Sequence, residues 1–232
     1  MKAVPSRLRD RPSVLVFDVN ETLIDIEALA PVFGELFGDP RVLREWFGQL
    51  VTYSMTVTLA DTYVDFVTLG RAVLRMVGDV HGVAVTDADA ERLGRGMQSM
   101  PAHSDVEPGL RALRDRGYRL ATLTNSPPAD GAPSPLETAG LAGYFEQQFS
   151  VATARVFKPS LRLYTDVAAN LGVAPSDCVM VAAHVWDTIG AQRAGMRGAF
   201  IARPGNAVLA LDALPAPTLV AADLIDLARL LD

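Results

Sequence analysis

Asp18 stands at the end of the apolar run Val14-Leu15-Val16-Phe17, and Thr22 follows it four residues later. A β-branched run of this kind reads as a buried parallel strand. The carboxyl ends of such strands are where open α/β sheets bind ligands. A carboxylate in that position is set to act as a nucleophile, with Thr22 spaced to hold its second oxygen. Three further strand ends carry polar groups: Thr124-Asn125-Ser126, Lys158-Pro159, and His184-Val185-Trp186-Asp187. A doubly wound sheet brings such ends to one crevice, where a lysine and a second aspartate would stand near Asp18.

The elements that must position these groups follow from periodicity. Between the first strand and the next lie about eighty residues whose apolar side chains fall at helical spacing. Leu29, Val32, Phe33 and Leu36 form one stripe, Val42, Leu43, Trp46, Leu50 and Tyr53 a second, and Tyr63, Phe66, Val67, Val73, Leu74 and Val77 a third. Thr86-Asp87-Ala88-Asp89 has the composition of a helix N-terminus. From Val106 onward strands alternate with helices. Strands are expected over 119–124, 149–151, 178–182 and 198–201, with an edge strand at 218–220. Helices are expected over 108–116, from 134, over 160–171 and over 187–194, with Asp223 capping the last. This alternation implies right-handed crossovers and a parallel sheet covered on both faces. The expected fold class is therefore α/β, a doubly wound parallel sheet with an inserted helical cap. Residues 1–26 and 106–232 form the core, and residues 27–105 the cap.

The order Asp-x-x-x-Thr, Thr-Asn, Lys-Pro and a final strand-end aspartate resembles the haloacid dehalogenase superfamily, and within it the L-2-haloacid dehalogenases. The likeness rests on Phe17-Asp18-x-x-x-Thr22-Leu23, Thr124-Asn125, Phe157-Lys158-Pro159 with Tyr164, and Trp186-Asp187-x-x-Gly190-Ala191. It implies hydrolytic dehalogenation of a small 2-haloacid without metal or organic cofactor. Asp18 would displace halide and form an ester that water hydrolyses. Lys158 would keep Asp18 ionised. Asp187 would hold Lys158 and position or deprotonate the water. Thr22, Thr124 and Asn125 would bond the nucleophile or the substrate carboxylate. Asn20, Phe47, Tyr164, His184 and Trp186 complete the expected substrate pocket.

The chain departs from that family at several positions. Asn20 stands where a tyrosine is usual, Phe47 replaces the halide-handling arginine, and Ala182 and His184 replace a serine and an asparagine. His184 has three readings: a base, a hydrogen-bonding substitute for the asparagine, or a packed core histidine. Arg44 reads as part of a solvated helix face, Glu21 as a turn residue, and His81 and His103 as boundary residues. Two other functions compete. A magnesium-dependent phosphatase would want a second aspartate at position 20 and more hard oxygens than this chain offers. A non-catalytic small-acid binder would explain Phe47, Ala182 and His184.

The 232 residues carry a net charge of −6, which argues against a nucleic-acid partner. No run approaches the length of a membrane span. Met1 to Pro12 contains Lys2, Arg7, Arg9 and Arg11 but leads into no apolar stretch of the secretory kind. The single cysteine, Cys178, sits in an apolar strand pattern and reads as a small buried hydrophobe. These features point to a cytoplasmic protein with a small-molecule carboxylate as its substrate. The aromatic and apolar stripe from Val42 to Phe66 suggests a homodimer surface or a closing cap, with Trp46 and Tyr53 largely buried.

Overall fold

The computed structural model describes residues 11–128, 131 and 133–231. Lys2, Arg7 and Arg9 of the basic N-terminal segment lie outside the described residues. Six strands, β1 (Val14–Phe17), β2 (Arg119–Thr124), β3 (Gln147–Ser150), β4 (Cys178–Ala182), β5 (Arg197–Ile201) and β6 (Leu219–Ala221), form one sheet. Their order is β3-β2-β1-β4-β5-β6 and every pairing is parallel. β1 and β4 are buried along their whole length, as the unbroken apolar runs require. The chain leaves β1 toward β2 on one side and reaches β4 on the other, so the switch point lies at the carboxyl end of β1.

After β1 the chain runs through four helices before it returns to the core: α1 (Ala30–Phe37), α2 (Val42–Leu59), α3 (Phe66–His81) and α4 (Asp87–Gln98). They form the inserted helical cap. Asp65 caps α3 by accepting from the N–H groups of Val67 and Thr68, and Thr86 and Asp89 form a reciprocal capping box on α4. α2 and α3 pack closely at Gly70, whose carbonyl accepts from the buried Trp46 indole at 3.0 Å. Trp46 is fully buried, but Tyr53 is 37 % exposed. The expectation that both are buried therefore holds only for Trp46.

The core helices are α5 (Val106–Asp115), α6 (Pro135–Thr138), α7 (Leu161–Asn170), α8 (Val185–Arg193) and α9 (Leu224–Leu230). α5 packs on α9 and α7 on α8, so two helix pairs flank the sheet. Asp223 caps α9 by accepting from the Asp226 N–H, as expected. β3 begins two residues earlier than the sequence suggests. Val151 turns out of it into a 3-10 turn, because the Ser150 hydroxyl accepts from the Ala152 N–H.

Candidate active site

Asp18 sits one residue beyond β1 and is buried. Its two oxygens have different partners. Lys158 Nζ donates to Oδ1 at 2.8 Å. Thr22 Oγ1 donates to Oδ2 at 2.7 Å, and a ring nitrogen of His184, Nδ1, lies 3.3 Å from the same oxygen. The Thr22 rotor is fixed, because its oxygen accepts from the Ala183 N–H at 2.9 Å and its proton is left for Asp18. Burial alone would raise the Asp18 pKa. The neighbouring Lys158 ammonium and His184 more than offset this and hold the carboxyl far below its ordinary range.

Lys158 is itself buried and makes three bonds through Nζ: to Asp18, to Asp187 Oδ2 at 2.7 Å and to the Leu123 carbonyl at 2.9 Å. All three ammonium protons are therefore used. Burial would lower the Lys158 pKa, but the two carboxylates override it and raise it. Asp187, in the first turn of α8, gives its other oxygen to the Tyr164 hydroxyl of α7 at 2.6 Å. Burial and the nearby Asp18 raise the Asp187 pKa against the pull of Lys158 and Tyr164. α7 and α8 approach this closely because position 190 is glycine. A Cβ there would stand 2.6 Å from Pro159 and 2.9 Å from the Tyr164 ring.

His184 ends the loop after β4 and lies between two carboxylates. Its Nε2 is 2.6 Å from Glu21 Oε2. Burial opposes its protonation, but hydrogen bonds to Asp18 and Glu21 and their charges push its pKa up to about 9. At neutral pH both ring nitrogens therefore donate. The ring stacks on Trp186 at 5.0 Å between centroids and meets Phe47 of α2 at 5.8 Å. The ring is thus buried, packed between two aromatic rings and faced by a carboxylate at each nitrogen.

Glu21 and Arg44 read differently in the structure than in the sequence. Glu21 is a turn residue with φ 64°, yet its side chain is 3 % exposed. It pairs with His184 and with Arg44 of α2, and Asn206 donates to it at 3.2 Å. Its own carbonyl lies 3.0 Å from His103 Nε2. Burial opposes ionisation of Glu21, but His184 and Arg44 keep its pKa below the ordinary value. Arg44 is not part of a solvated face. It reaches from the cap to the core, pairing with Glu21 and Glu27 and donating to the Pro204 carbonyl at 3.1 Å. No sequence signal joins these groups, since Glu21 and His184 lie 163 positions apart.

The remaining expected residues divide into two groups. Tyr164 is fully buried with its only hydroxyl on Asp187, so it orients that carboxylate and does not face a substrate. Thr124 accepts from the Ser126 N–H at 3.1 Å and Asn125 Oδ1 accepts from the Lys158 backbone N–H at 3.2 Å. Neither bonds Asp18: Thr124 shapes the loop after β2, and Asn125 fixes the backbone of Lys158. Asn20 donates to the Ser126 hydroxyl at 3.3 Å. Asn20, Thr124 and Ser126 line a cavity of about 460 Å³ at this end of the sheet. A second cavity, of about 470 Å³, shares Asn20 and Ser126 and extends to Arg71 and Arg95 of the cap. Asp18 lines neither.

Asp18 Oδ1 and Oδ2 and Asp187 Oδ1 and Oδ2 all accept from N–H or O–H groups. Among the described residues no group of three or more His, Cys, Asp or Glu side chains is arranged to hold a metal.

A carboxylate at a sheet switch point, kept ionised by a buried lysine and backed by a second carboxylate, defines a hydrolase that works through an enzyme-bound ester or anhydride. The chain belongs to the haloacid dehalogenase-like hydrolase family, whose model matches residues 12–195. It is 27 % identical over 207 residues to an (S)-2-haloacid dehalogenase of Pseudomonas fluorescens, covering 86 % of this chain and 88 % of the relative. It is 26 % identical over 215 residues to haloacetate dehalogenase H-2 of Moraxella sp. (strain B), covering 91 % and 95 %. Among solved structures it resembles the L-2-haloacid dehalogenase RSc1362, with TM-score 0.88, 26 % identity and coverage of 96 % and 99 %. It also resembles the L-2-haloacid dehalogenase of Xanthobacter autotrophicus, with TM-score 0.85, 25 % identity and coverage of 94 % and 98 %.

Proposed function

We propose that the protein is a hydrolytic dehalogenase of small 2-haloacids, with Asp18 as its nucleophile. The observation that carries this is the buried contact of Asp18 Oδ1 with Lys158 Nζ at 2.8 Å, which keeps an anionic oxygen ready at the switch point. Among the described residues Oδ1 accepts from Lys158 alone, whereas Oδ2 is held by both Thr22 and His184. Oδ1 therefore attacks the carbon bearing the halogen. The C–X bond breaks, halide leaves with the electron pair, and an ester remains on Asp18. Water then adds at the Asp18 carboxyl carbon and the 2-hydroxyacid departs. Asp187 has both oxygens occupied, so its part is to hold Lys158. Thr22 orients Asp18, and Asn125 secures the Lys158 backbone.

Asn20 at the cavity wall and Phe47 and Trp186 around His184 form the substrate side of the site. Phe47 removes a guanidinium from the cap side, and Arg44 is already engaged by Glu21 and Glu27. The segment 27–105 acts as the cap over the core of 1–26 and 106–232. We place the protein in the cytoplasm as a homodimer, with the half-exposed Tyr53 and the exposed Leu59 of α2 on the contact face. Sedimentation of a monomer would remove that assignment. Among the described residues no helix is long and apolar enough to cross a membrane.

The function is tested by halide release from bromo- and chloro-acetate and -propionate in the presence of a chelator. Release that chelator does not diminish, and that Asp18→Asn abolishes, is the expected result. No halide from any of these acids would overturn the assignment.

A further inference from the structure

Before the ester forms, His184 helps to hold Asp18 Oδ2, and Glu21 holds His184. Both are buried, and His184 Nε2 lies 2.6 Å from Glu21 Oε2. Their place becomes clear from what happens to Asp18 after halide leaves. Once Oδ1 carries the substrate carbon, Oδ2 is the carbonyl oxygen of an ester. Water adding to that carbonyl sends an electron pair onto Oδ2. The two groups already on Oδ2 are the Thr22 hydroxyl and His184 Nδ1.

We propose that His184, held by Glu21, forms with Thr22 an oxyanion hole on Asp18 Oδ2 for the hydrolysis of the ester. This inference rests on the reading of Asp18 as the esterified nucleophile. In the step, the water oxygen bonds Cγ and Oδ2 takes the pair between its two donors. Collapse restores the Cγ–Oδ2 double bond and breaks Cγ–Oδ1, so the product leaves with Oδ1 as its hydroxyl oxygen. Of the two water protons, one ends on that hydroxyl and the other passes to solvent as Asp18 re-ionises. Preorganised donors aimed at developing charge act strongly in a buried site, because they need no reorganisation as the charge forms.

His184 cannot serve as the base for this water. Nε2 faces Glu21 and Nδ1 faces Asp18, so neither nitrogen offers a lone pair to solvent. Its raised pKa supports the protonated, doubly donating form. Esterification removes the Asp18 charge, and Glu21 is then the carboxylate that keeps His184 a cation. The charged groups around the ring are Asp18 and Glu21 in contact with it, Lys158 and Asp187 behind Asp18, and Arg44 behind Glu21. His184 is thus a catalytic residue of the second half-reaction, and Glu21 is its positioning residue.

Rapid-quench single turnover of bromoacetate separates the two halves, with bromide counted and the Asp18 ester followed by mass spectrometry of the intact protein. His184→Gln should release its one equivalent of bromide, accumulate the ester and clear it about 100- to 1,000-fold more slowly than wild type. Glu21→Gln should move the alkaline limb of the ester-clearance rate to lower pH, because the imidazolium loses its remaining anion. If His184→Gln does not fold, the Glu21→Gln pH profile decides alone. A wild type that never forms the ester would overturn the Asp18 reading and this proposal with it. A wild type that forms and clears the ester would leave the Asp18 reading standing. The proposal alone would then fall if Glu21→Gln left the pH limb in place, or if His184→Gln cleared the ester as fast as wild type or lost both steps equally.

Discussion

The Tyr164 hydroxyl donates to Asp187 Oδ1 at 2.6 Å, with both side chains fully buried. Asp187 is thereby fixed from α7 while its other oxygen holds Lys158. The lysine that faces the nucleophile is thus oriented through a hydroxyl on α7. Tyr164→Phe should leave one Asp187 oxygen buried without a donor. That costs about 1–3 kcal/mol of stability, read as a lower urea midpoint. The halide-release rate should fall while KM changes little, since the hydroxyl does not reach the substrate.

Lys158→Met should be far more damaging. It leaves Asp18 and Asp187 as two buried carboxylates without their shared cation. Breaking a buried ion pair by removing one partner costs about 3–5 kcal/mol. Asp18 should then lose its low pKa, because burial would act unopposed by the ammonium. Halide release at neutral pH should drop by several orders of magnitude. A near-normal rate with an unshifted acid limb would show that the ammonium is dispensable.

Stability should depend on pH from both sides. The Asp18 and Glu21 pKa values are lowered in the fold. Their contribution is present above the ordinary carboxylate range and is lost as pH falls through the folded values. His184 is the opposite case, raised from 6.5 to about 9. Its contribution is complete below pH 6.5 and is lost as pH rises toward about 9. The loss should amount to roughly 3 kcal/mol. Chemical denaturation between pH 6 and 10 should show this decline in wild type and a flatter profile in His184→Gln.

Position 190 tests the packing behind the site. Gly190→Ala places a Cβ 2.6 Å from Pro159 and 2.9 Å from Tyr164. α8 must then shift away from α7, at a cost of about 1–3 kcal/mol. Thermal unfolding should show the loss, and the rate should fall with it because the Tyr164–Asp187–Lys158 chain is stretched.

The strand-end chemistry was legible because it is local. An apolar run followed by Asp18, and another followed by His184 and Asp187, each announce a strand and its active end within a few residues. The sheet and the helical insertion follow from the same periodicity. Glu21 and Arg44 were not legible. Glu21 carries no pattern, and its significance comes from a left-handed turn that directs its carboxylate at His184. Arg44 lies on the polar side of an amphipathic helix, where a solvated role is the default, and only tertiary packing brings it to Glu21. Tyr53 fell on the helical stripe of α2 yet stays half-exposed, because periodicity marks which face is apolar and not how far along the helix that face stays covered.

The most direct test of the central claim is isotope transfer to Asp18. Wild-type protein, in excess over bromoacetate and dissolved in ¹⁸O-labelled water, is allowed one turnover and digested, and the peptide containing Asp18 is weighed. Attack by Asp18 followed by hydrolysis at its carboxyl carbon places the label in the Asp18 carboxylate and leaves the glycolate product unlabelled. Label in the glycolate with an unlabelled Asp18 peptide would mean that water attacks the substrate directly, and the nucleophilic role of Asp18 would be contradicted.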